Sequence, residues 1–315
     1  MMPFKKGSLL LAPMAGVTDS AFRCICRKYG CDGTFAEMVS TKGIFYKDKK
    51  SSDLLNYTES EQPISLQIFG SDIECFKVAT DFINKNYSPV SIDINMGCPA
   101  PKIFNNGDGC ALMGKPELAY EIIKSVKENT NTPVSVKFRS GINDLSINAV
   151  KFACICEDAG ADFITVHGRT REQFYNGKSD PCIIKEVVEA VKIPVIANGD
   201  ITDYKSAQSI LEFTGSHSLM IGRGAMGNPL VFSQIKKASD SPASKEQLFK
   251  IALEHLSLSI SNKGELLATK EFRKHLLWYL KGVRGAAKFK VFASNVSTFS
   301  DCERIFEKVL KDIIE

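Results

Sequence analysis

The chain has 315 residues, of which 44% are hydrophobic and 24% charged, with a formal net charge of +4 at pH 7. This composition excludes disordered and fibrous proteins, and no apolar run reaches the roughly 18–20 residues that a membrane helix needs. The first residues lack the apolar core of a signal peptide. The sequence therefore predicts a soluble cytoplasmic protein with no membrane partner.

Ten cysteines are present, but no two of them are spaced as a C-x-x-C pair. Several lie in otherwise apolar helical patterns, where a free cysteine packs as a small hydrophobic side chain. We therefore expect reduced thiols in a reducing compartment, with no disulfides and no bound metal.

Eight short apolar runs recur along the first 225 residues or so. Each shows little alternation between polar and apolar residues, which is typical of parallel strands buried on both faces. The predicted strands are 8–14, 34–38, 64–69, 90–95, 134–138, 163–167, 194–198 and 218–221.

Helical patterns lie between most of these strands. The clearest are 72–84, 116–128, 145–159, 180–191 and 202–213, with Thr202 as the predicted N-cap of the last. The connection over 39–62, rich in Lys and Ser near 47–52, is predicted as a loop with a short helix. Strands and helices in this alternation predict a (β/α)8 TIM barrel. A doubly wound sheet is the alternative, but no Gly-rich phosphate turn follows the first strand.

The β pattern disappears after Pro229. An exit helix and a Ser/Pro-rich linker lead to position 244, beyond which apolar residues recur at helical spacing. We predict a catalytic barrel over 1–243 and a small all-helical C-terminal domain over 244–315. Residues 245–315 carry 13 basic and 9 acidic side chains, whereas residues 1–244 carry 27 of each. An excess of positive charge confined to one domain indicates a polyanionic partner.

Polar or glycine residues end every predicted strand, and in a barrel these ends meet at one mouth. Asn198-Gly199-Asp200 and Gly222-Arg223-Gly224 follow strands seven and eight, where such barrels commonly bind phosphate. Glycine lets backbone N–H groups approach phosphate oxygens, and arginine adds charge. Turn glycines beside a solvated arginine are the alternative interpretation.

Lys137 ends strand five, and Gln67 and His167 end neighbouring strands. A fixed cation stabilises the electron-rich reduced ring of a flavin, and an amide can bond its polar edge. These three residues together favour a flavin site, although Lys137 alone could be a paired structural charge.

Cys98 differs from the other cysteines because it lies in a Gly97-Cys98-Pro99 loop directly after a strand. No Ser/His/Asp or Cys/His arrangement nearby indicates a hydrolytic nucleophile. A thiol can instead donate a proton to a developing carbanion. A buried structural thiol is the alternative.

These segments resemble the tRNA-dihydrouridine synthases, most closely the B-type bacterial branch, over essentially the whole chain. The similar segments are LAPMAGVTDSAFR (11–23), LQIFG (66–70), DINMGCPAPKI (93–103), VKFRSG (136–141), TVHGRTREQFYNGKSD (165–180), VIANGDI (195–201) and MIGRGAMGNP (220–229). Cys110 and Met113 depart from the family, which more often has Ala and Leu there.

The resemblance implies an FMN-dependent reduction of the C5–C6 double bond of uridine in the tRNA D-loop, with NADPH or NADH as the transient reductant. Reduced FMN would deliver hydride to C6, and Cys98 would protonate C5. The implied FMN contacts are Pro13, Met14, Ala15, Gln67, Lys137, His167, Asn198, Gly199, Asp200, Gly222 and Arg223. The implied contacts with the uracil edge or the nucleotide phosphates are Asn95, Arg139 and Arg169.

The tRNA itself is expected to bind the C-terminal domain through Arg273, Lys274, Lys281 and Arg284, on a basic stripe between Lys270 and Lys290. Gly282 and Gly285 leave open whether one helix carries the whole stripe. We expect a monomer.

Two other functions would each explain part of these sequence features. An FMN barrel that reduces a free pyrimidine or another small enone would keep the flavin residues but would not need the basic helices. A non-catalytic RNA-binding protein would keep the basic helices but would not need Cys98 or Lys137. The presence of both sets in one chain favours the tRNA enzyme.

Overall fold

The structure, a computed structural model, describes residues 2–283 and 286–314. Its strands, in chain order, are β1 Leu9–Leu11, β2 Gly33–Phe35, β3 Val39–Ser40, β4 Ile64–Phe69, β5 Ser91–Met96, β6 Val134–Arg139, β7 Phe163–His167, β8 Val195–Asn198 and β9 Ser218–Ile221. All pairings between them are parallel. Strand β1 pairs with β2 and β9, and β2 also pairs with β4, so the sheet closes on itself. The prediction of a (β/α)8 TIM barrel is confirmed.

The second barrel position is shared by β2 and β3, which both pair with β4. The single strand predicted over 34–38 is therefore wrong in its second half. The chain leaves the sheet after Phe35, and the Glu37 carboxylate accepts a hydrogen bond from the backbone N–H of Gly16 in the loop after β1. This tertiary contact interrupts the strand.

Phe4 packs inside the barrel near the amino-terminal ends of the strands. Its ring lies 6.1 Å from that of Phe35 and 6.2 Å from that of Phe163, measured between centroids. Aromatic side chains fill this end, so the opposite end, where the strands finish, is the mouth.

The helices of the barrel lie outside the strands, and most of them bury apolar side chains in the barrel core. They are α1 Ser20–Lys28, α2 Thr41–Phe45, α3 Lys49–Asp53, α4 Ile73–Asn86, α5 Pro101–Asn105, α6 Pro116–Glu128, α7 Ala149–Asp158, α8 Pro181–Ala190, α9 Tyr204–Thr214 and α10 Val231–Lys236.

Two helix starts differ from the sequence predictions. Helix α7 begins at Ala149 rather than at 145, because Gly141 and Ile147 form an antiparallel bridge that holds the preceding residues in a tight loop. The N-cap of α9 is Asp203 rather than Thr202. The Asp203 carboxylate accepts the N–H of Ser206 at 2.8 Å, and the Thr202 hydroxyl donates to that carboxylate instead of capping the helix.

In its described residues the C-terminal region consists of helices joined by short turns. It comprises α11 Lys245–Lys263, α12 Glu265–Tyr279, α13 Ala286–Asn295 and α14 Phe299–Ile314. Ser244 caps α11 by accepting the N–H of Gln247 at 3.2 Å. Helix α13 was not predicted. The predicted basic stripe does not follow one helix, because α12 ends at Tyr279 and Gly282 adopts a φ of 80° in the turn that follows.

The C-terminal helices pack on α1 of the barrel. The ring of Phe22 lies 5.3 Å from each of the His255 and His275 rings, and these two imidazoles lie 4.6 Å apart. Beside them, Lys263 Nζ donates to Asp19 Oδ2 at 2.7 Å. We call this contact the α1 joint.

In the part of the chain that the structure describes, no helix has the length and apolar character needed to cross a membrane.

Candidate active site

The barrel mouth brings together the polar residues that end neighbouring strands. In the strand register Gln67 lies opposite Asp93, Asn95 opposite Lys137, and His167 opposite Asn198. The side chains predicted to bind one cofactor therefore converge on one end of the barrel.

A buried carboxylate, which sequence reasoning missed, orients two of these residues. Asp93 accepts hydrogen bonds from Ser135 Oγ at 2.5 Å and from Gln67 Nε2 at 2.6 Å. Gln67 Oε1 in turn accepts from Asn95 Nδ2 at 2.9 Å. Burial raises the pKa of Asp93 to about 6, although these hydrogen bonds and Lys137 act in the opposite direction. The signal in the sequence is an acidic residue between two isoleucines in a buried strand, which needs polar partners.

Asn95 and Arg139 fix the loop that carries Cys98. Asn95 Oδ1 accepts the N–H groups of Gly97 at 3.1 Å and Cys98 at 2.9 Å. Arg139 Nε donates to the carbonyl of Gly97 at 2.9 Å. A Cβ at position 97 would lie 3.1 Å from Phe138 Cα, so glycine allows this loop to pass close to β6. The thiol is therefore presented by a loop that is bonded on both sides.

The Cys98 side chain is partly exposed. Burial raises the pKa of its thiol, and the backbone N–H of Ala100, Arg139 and Lys137 only partly oppose this effect. The thiol is thus protonated at neutral pH. Cys110 is fully buried, its N–H donates to the Cys98 carbonyl at 3.2 Å, and burial raises its thiol pKa to about 12.

Lys137 places an ammonium group inside the mouth. Its Nζ donates to Asn198 Oδ1 at 3.0 Å, and Asn198 Nδ2 donates to the carbonyl of Met220 at 2.7 Å. Burial, together with the charge of Arg139, lowers the pKa of Lys137 to about 8. Burial also lowers the pKa of His167, as do the surrounding cations, so this imidazole is neutral at pH 7.

Asp200 links two of the predicted site arginines. Each of its oxygens accepts from Arg169 Nη2 at 2.8 Å, and Arg223 Nη2 lies 3.4 Å from Oδ1. Arg169 is buried and also donates to the carbonyls of Asn176 and Gly177, so it holds the loop after β7. Arg223 remains half exposed, with its guanidinium 5.0 Å from the centroid of the Tyr175 ring.

The loop after β1 closes the other side of the mouth with Pro13, Met14 and Ala15. The Met14 N–H donates to Thr18 Oγ1 at 2.9 Å. A Cβ on Gly222, which follows β9, would lie 3.5 Å from Met14 Sδ, so the loops after the first and last strands are neighbours.

The four predicted tRNA contacts of the C-terminal region have different surroundings. Arg273 donates from Nε and Nη2 to the carbonyl of Val296, at 2.9 and 2.7 Å. Lys274 reaches the barrel, where its Nζ lies 3.6 Å from the position of a Cβ on Gly16. Lys281 is exposed. Arg284 lies outside the described residues.

The chemistry of these donors fits an anionic, phosphate-bearing ring cofactor. Burial is the main cause of the lowered pKa values of Lys137 and His167, and neighbouring cations contribute to both. Arg139, Arg169 and Arg223 lie around these two side chains, so more cations than carboxylates line the mouth. A bound anion would supply the missing negative charge. Gly199 adopts a φ of 130°, and a Cβ there would lie 2.2 Å from Ser179 Oγ, so glycine lets the turn after β8 pass close to the loop after β7.

The candidate site is thus the cationic mouth of a parallel (β/α)8 barrel, with a protonated thiol at its edge. The family of dihydrouridine synthases (Dus) matches residues 10–314. The chain belongs to this family, whose enzymes are flavin-dependent oxidoreductases.

Curated relatives cover nearly the whole chain. The tRNA-dihydrouridine synthase B of Vibrio parahaemolyticus is 38% identical over 290 residues, which is 90% of each chain. That of Shewanella oneidensis is 39% identical over 280 residues, 87% of each chain. The probable tRNA-dihydrouridine synthase of Rickettsia bellii is 37% identical and covers 90% of this chain and 88% of its own.

Solved structures share the fold at low sequence identity. A 2-naphthoyl-CoA reductase has a TM-score of 0.56 and is 11% identical, over 75% of this chain and 50% of that one. The histamine dehydrogenase of Rhizobium sp. 4-9 has a TM-score of 0.54 and is 11% identical, over 81% and 49%.

Proposed function

We propose that this protein is a tRNA-dihydrouridine synthase that reduces the C5–C6 double bond of a D-loop uridine, with FMN as cofactor and NADPH or NADH as the transient reductant. The observation that carries the proposal is the protonated thiol of Cys98, held by Asn95 and Arg139 beside a mouth with excess positive charge. The names of the curated relatives support the same reaction.

The proposed cofactor residues fall into two groups around the mouth. Lys137, Gln67 and His167 would face the flavin ring, with the loop at Pro13, Met14 and Ala15 beside it. The turns after β8 and β9 would hold the phosphate through Asn198, Gly199, Asp200, Gly222 and Arg223. Bound flavin supplies the hydride for the uracil ring, and the Lys137 charge favours the anionic form of the reduced ring.

Cys98 is the proposed proton donor to C5 of the base. Because burial keeps the thiol protonated, the proton is available at neutral pH without a separate acid. Asn95 and Arg139 position the loop of Cys98 and border the space for the base. Arg169, already bonded to Asp200 and to the loop after β7, would act on the nucleotide through the position of that loop.

The tRNA would lie across the mouth and the C-terminal helices. A uridine within tRNA has to leave its neighbours in order to enter a barrel mouth. Lys274 lies where the C-terminal region meets the mouth, and Lys281 and Arg284 would extend the basic surface beyond it, while Arg273 holds the turn before α14. A tRNA substrate places the enzyme in the cytoplasm, and we propose that it acts as a monomer.

The function is tested by purification and by a defined substrate. The protein should be yellow, release FMN on denaturation, and form dihydrouridine in unmodified tRNA supplied with NADPH or NADH. Mapping of dihydrouridine in tRNA from cells that lack the protein then identifies the position. A colourless protein that does not take up FMN contradicts the proposal. Turnover of a small enone without reaction on tRNA favours the small-molecule alternative.

A further inference from the structure

A short lysine-rich segment, residues 41–50, lies at the mouth end of the barrel and contributes no residue to the site described above. Ser40, the last residue of β3, pairs with Phe69, the last residue of β4. Helix α2 begins at the next residue, Thr41, and a Cβ on Gly70 would lie 2.2 Å from its hydroxyl. The segment 41–50 therefore leaves the barrel from the rim of the mouth.

Two aromatic side chains of this segment face solvent. Tyr46 is 76% exposed and Phe45 is 40% exposed. Their rings lie 5.1 Å apart in an edge-to-face arrangement, so Phe45 supports the ring of Tyr46 from one side. The outer face of Tyr46 is left free to stack on another flat group.

Four lysines surround these rings. Lys42, Lys47, Lys49 and Lys50 are exposed, and none of them forms an ion pair within residues 2–283 and 286–314. Asp48, the acidic residue within 41–50, caps α3 by accepting the N–H and the hydroxyl of Ser51 at 2.9 and 2.7 Å. The segment 41–50 therefore has a net charge of +3, from four lysines and one aspartate, and Asp72 near Lys42 offsets only part of it.

The segment is also held in a defined shape. The N–H of Asp48 donates to the carbonyl of Gly43 at 2.9 Å, and a Cβ on Gly43 would lie 2.2 Å from Ser51 Oγ. Helices α2 and α3 thus pack against each other where glycine allows close approach, and α2 packs on α4. A ligand that binds here meets a preformed surface.

We propose that Lys42, Tyr46, Lys47, Lys49 and Lys50, the rim patch, form a second tRNA-binding surface, on the barrel and separate from the C-terminal helices. The lysines contact backbone phosphates, and Tyr46 stacks on an unpaired base of the tRNA. Unpaired cations around an exposed aromatic ring are the combination that binds single-stranded nucleic acid segments. This inference rests on the proposed function, because it takes tRNA as the substrate.

The charge of the rim patch is tested with the triple variant Lys42→Glu, Lys47→Glu and Lys49→Glu. Its Kd for tRNA should rise at least tenfold, and the log–log dependence of binding on salt should flatten by about 2 to 3, since each phosphate contact contributes about 0.7–0.9. The control is the triple variant Lys124→Glu, Lys151→Glu and Lys192→Glu, which changes three exposed lysines elsewhere on the barrel by the same charge. It should bind tRNA more tightly than the rim-patch variant.

Stacking is tested separately at Tyr46. Tyr46→Ala should raise the Kd for tRNA about tenfold with an unchanged salt dependence, whereas Tyr46→Phe, which keeps the ring, should bind as the unaltered protein does. Equal tRNA affinity in the rim-patch variant and its control overturns the proposal. The proposal is also overturned if the rim-patch variant loses binding to an acidic protein but keeps the tRNA affinity of the unaltered protein. Failure of the unaltered protein to form dihydrouridine counts against the proposed function instead, since binding is measured independently of turnover.

Discussion

Replacement of Cys98 by alanine tests the proposed proton donor directly. A thiol of ordinary pKa, about 8.5, is about 97% protonated at pH 7, and burial raises the pKa of Cys98 further. The loss of a general acid typically slows a reaction by about 10²–10⁴, which corresponds to about 2.7–5.5 kcal/mol of activation free energy. We therefore expect the Cys98→Ala variant to reduce tRNA about 10²–10⁴ times more slowly than the unaltered protein.

The two half-reactions separate this effect from damage to the site. Reduction of bound flavin by NADPH or NADH needs no proton at C5 of uracil, so its rate should be unchanged in Cys98→Ala. Reoxidation of the reduced enzyme by tRNA, followed in a single turnover by flavin absorbance, should show the whole loss. The backbone N–H of residue 98 keeps its bond to Asn95 in the variant, so the loop should remain in place.

The pH dependence of the tRNA half-reaction gives a second readout. The proton donor is active below its pKa and inactive above it, so the rate should fall as pH rises through the raised pKa of Cys98. In Cys98→Ser this fall should disappear, because the serine hydroxyl does not ionise in the same range. A wild-type rate in Cys98→Ala, or equal slowing of both half-reactions, would refute the assignment.

Three further variants address the rest of the site. Lys137→Met should weaken FMN binding. In the unaltered protein the FMN affinity should fall as pH rises through the Lys137 pKa of about 8, and in the variant this fall should be absent. Flavin fluorescence titrations measure both effects, and a pH dependence that persists in the variant contradicts this role. Asn95→Ala leaves the partly buried N–H groups of Gly97 and Cys98 without their acceptor and removes the buried donor to Gln67 Oε1, so it should destabilise the fold by about 1–3 kcal/mol. Thermal unfolding detects this, and an unchanged Tm argues against it. Reversal of Lys274, Lys281 and Arg284 to glutamate should raise the tRNA Kd at least tenfold and flatten its salt dependence; unaltered tRNA affinity, measured by a binding assay, would leave the barrel rim as the binding surface.

Patterns of burial along the chain predict the barrel well. Strands β4, β7 and β9 lie at the predicted positions, because a run of apolar residues buried on both faces is visible without knowledge of the partners. Features that depend on distant residues are not predictable in this way. The interruption between β2 and β3 depends on Glu37 bonding to the loop after β1, and the loop before α7 depends on the contact of Gly141 with Ile147.

In the candidate site, too, some features are predictable from the sequence and others depend on contacts between distant residues. Residue types at strand ends indicate that Lys137, His167 and Asn198 meet at the mouth, since parallel strands end at the same side of a barrel. The role of Asp93 is hidden, because its partners Gln67 and Ser135 come from two other strands. Arg169 is visible as a cation but not as a buried one, since its bonds to the loop after β7 exist only in the folded chain.

The α1 joint has a consequence for the choice of target nucleotide. Rings of Phe22, His255 and His275 pack together there, and Lys263 bonds to Asp19, so rotation of the C-terminal helices against the barrel would break a packed contact. Under the proposed function, a tRNA bound by those helices would meet the mouth at a constant distance and angle. The enzyme would then not swing along its substrate to sample one uridine after another. The reacting uridine would be set by how far each nucleotide of the D-loop extends from the body of the tRNA, so loops of different length should shift the modified position even where the neighbouring bases are the same.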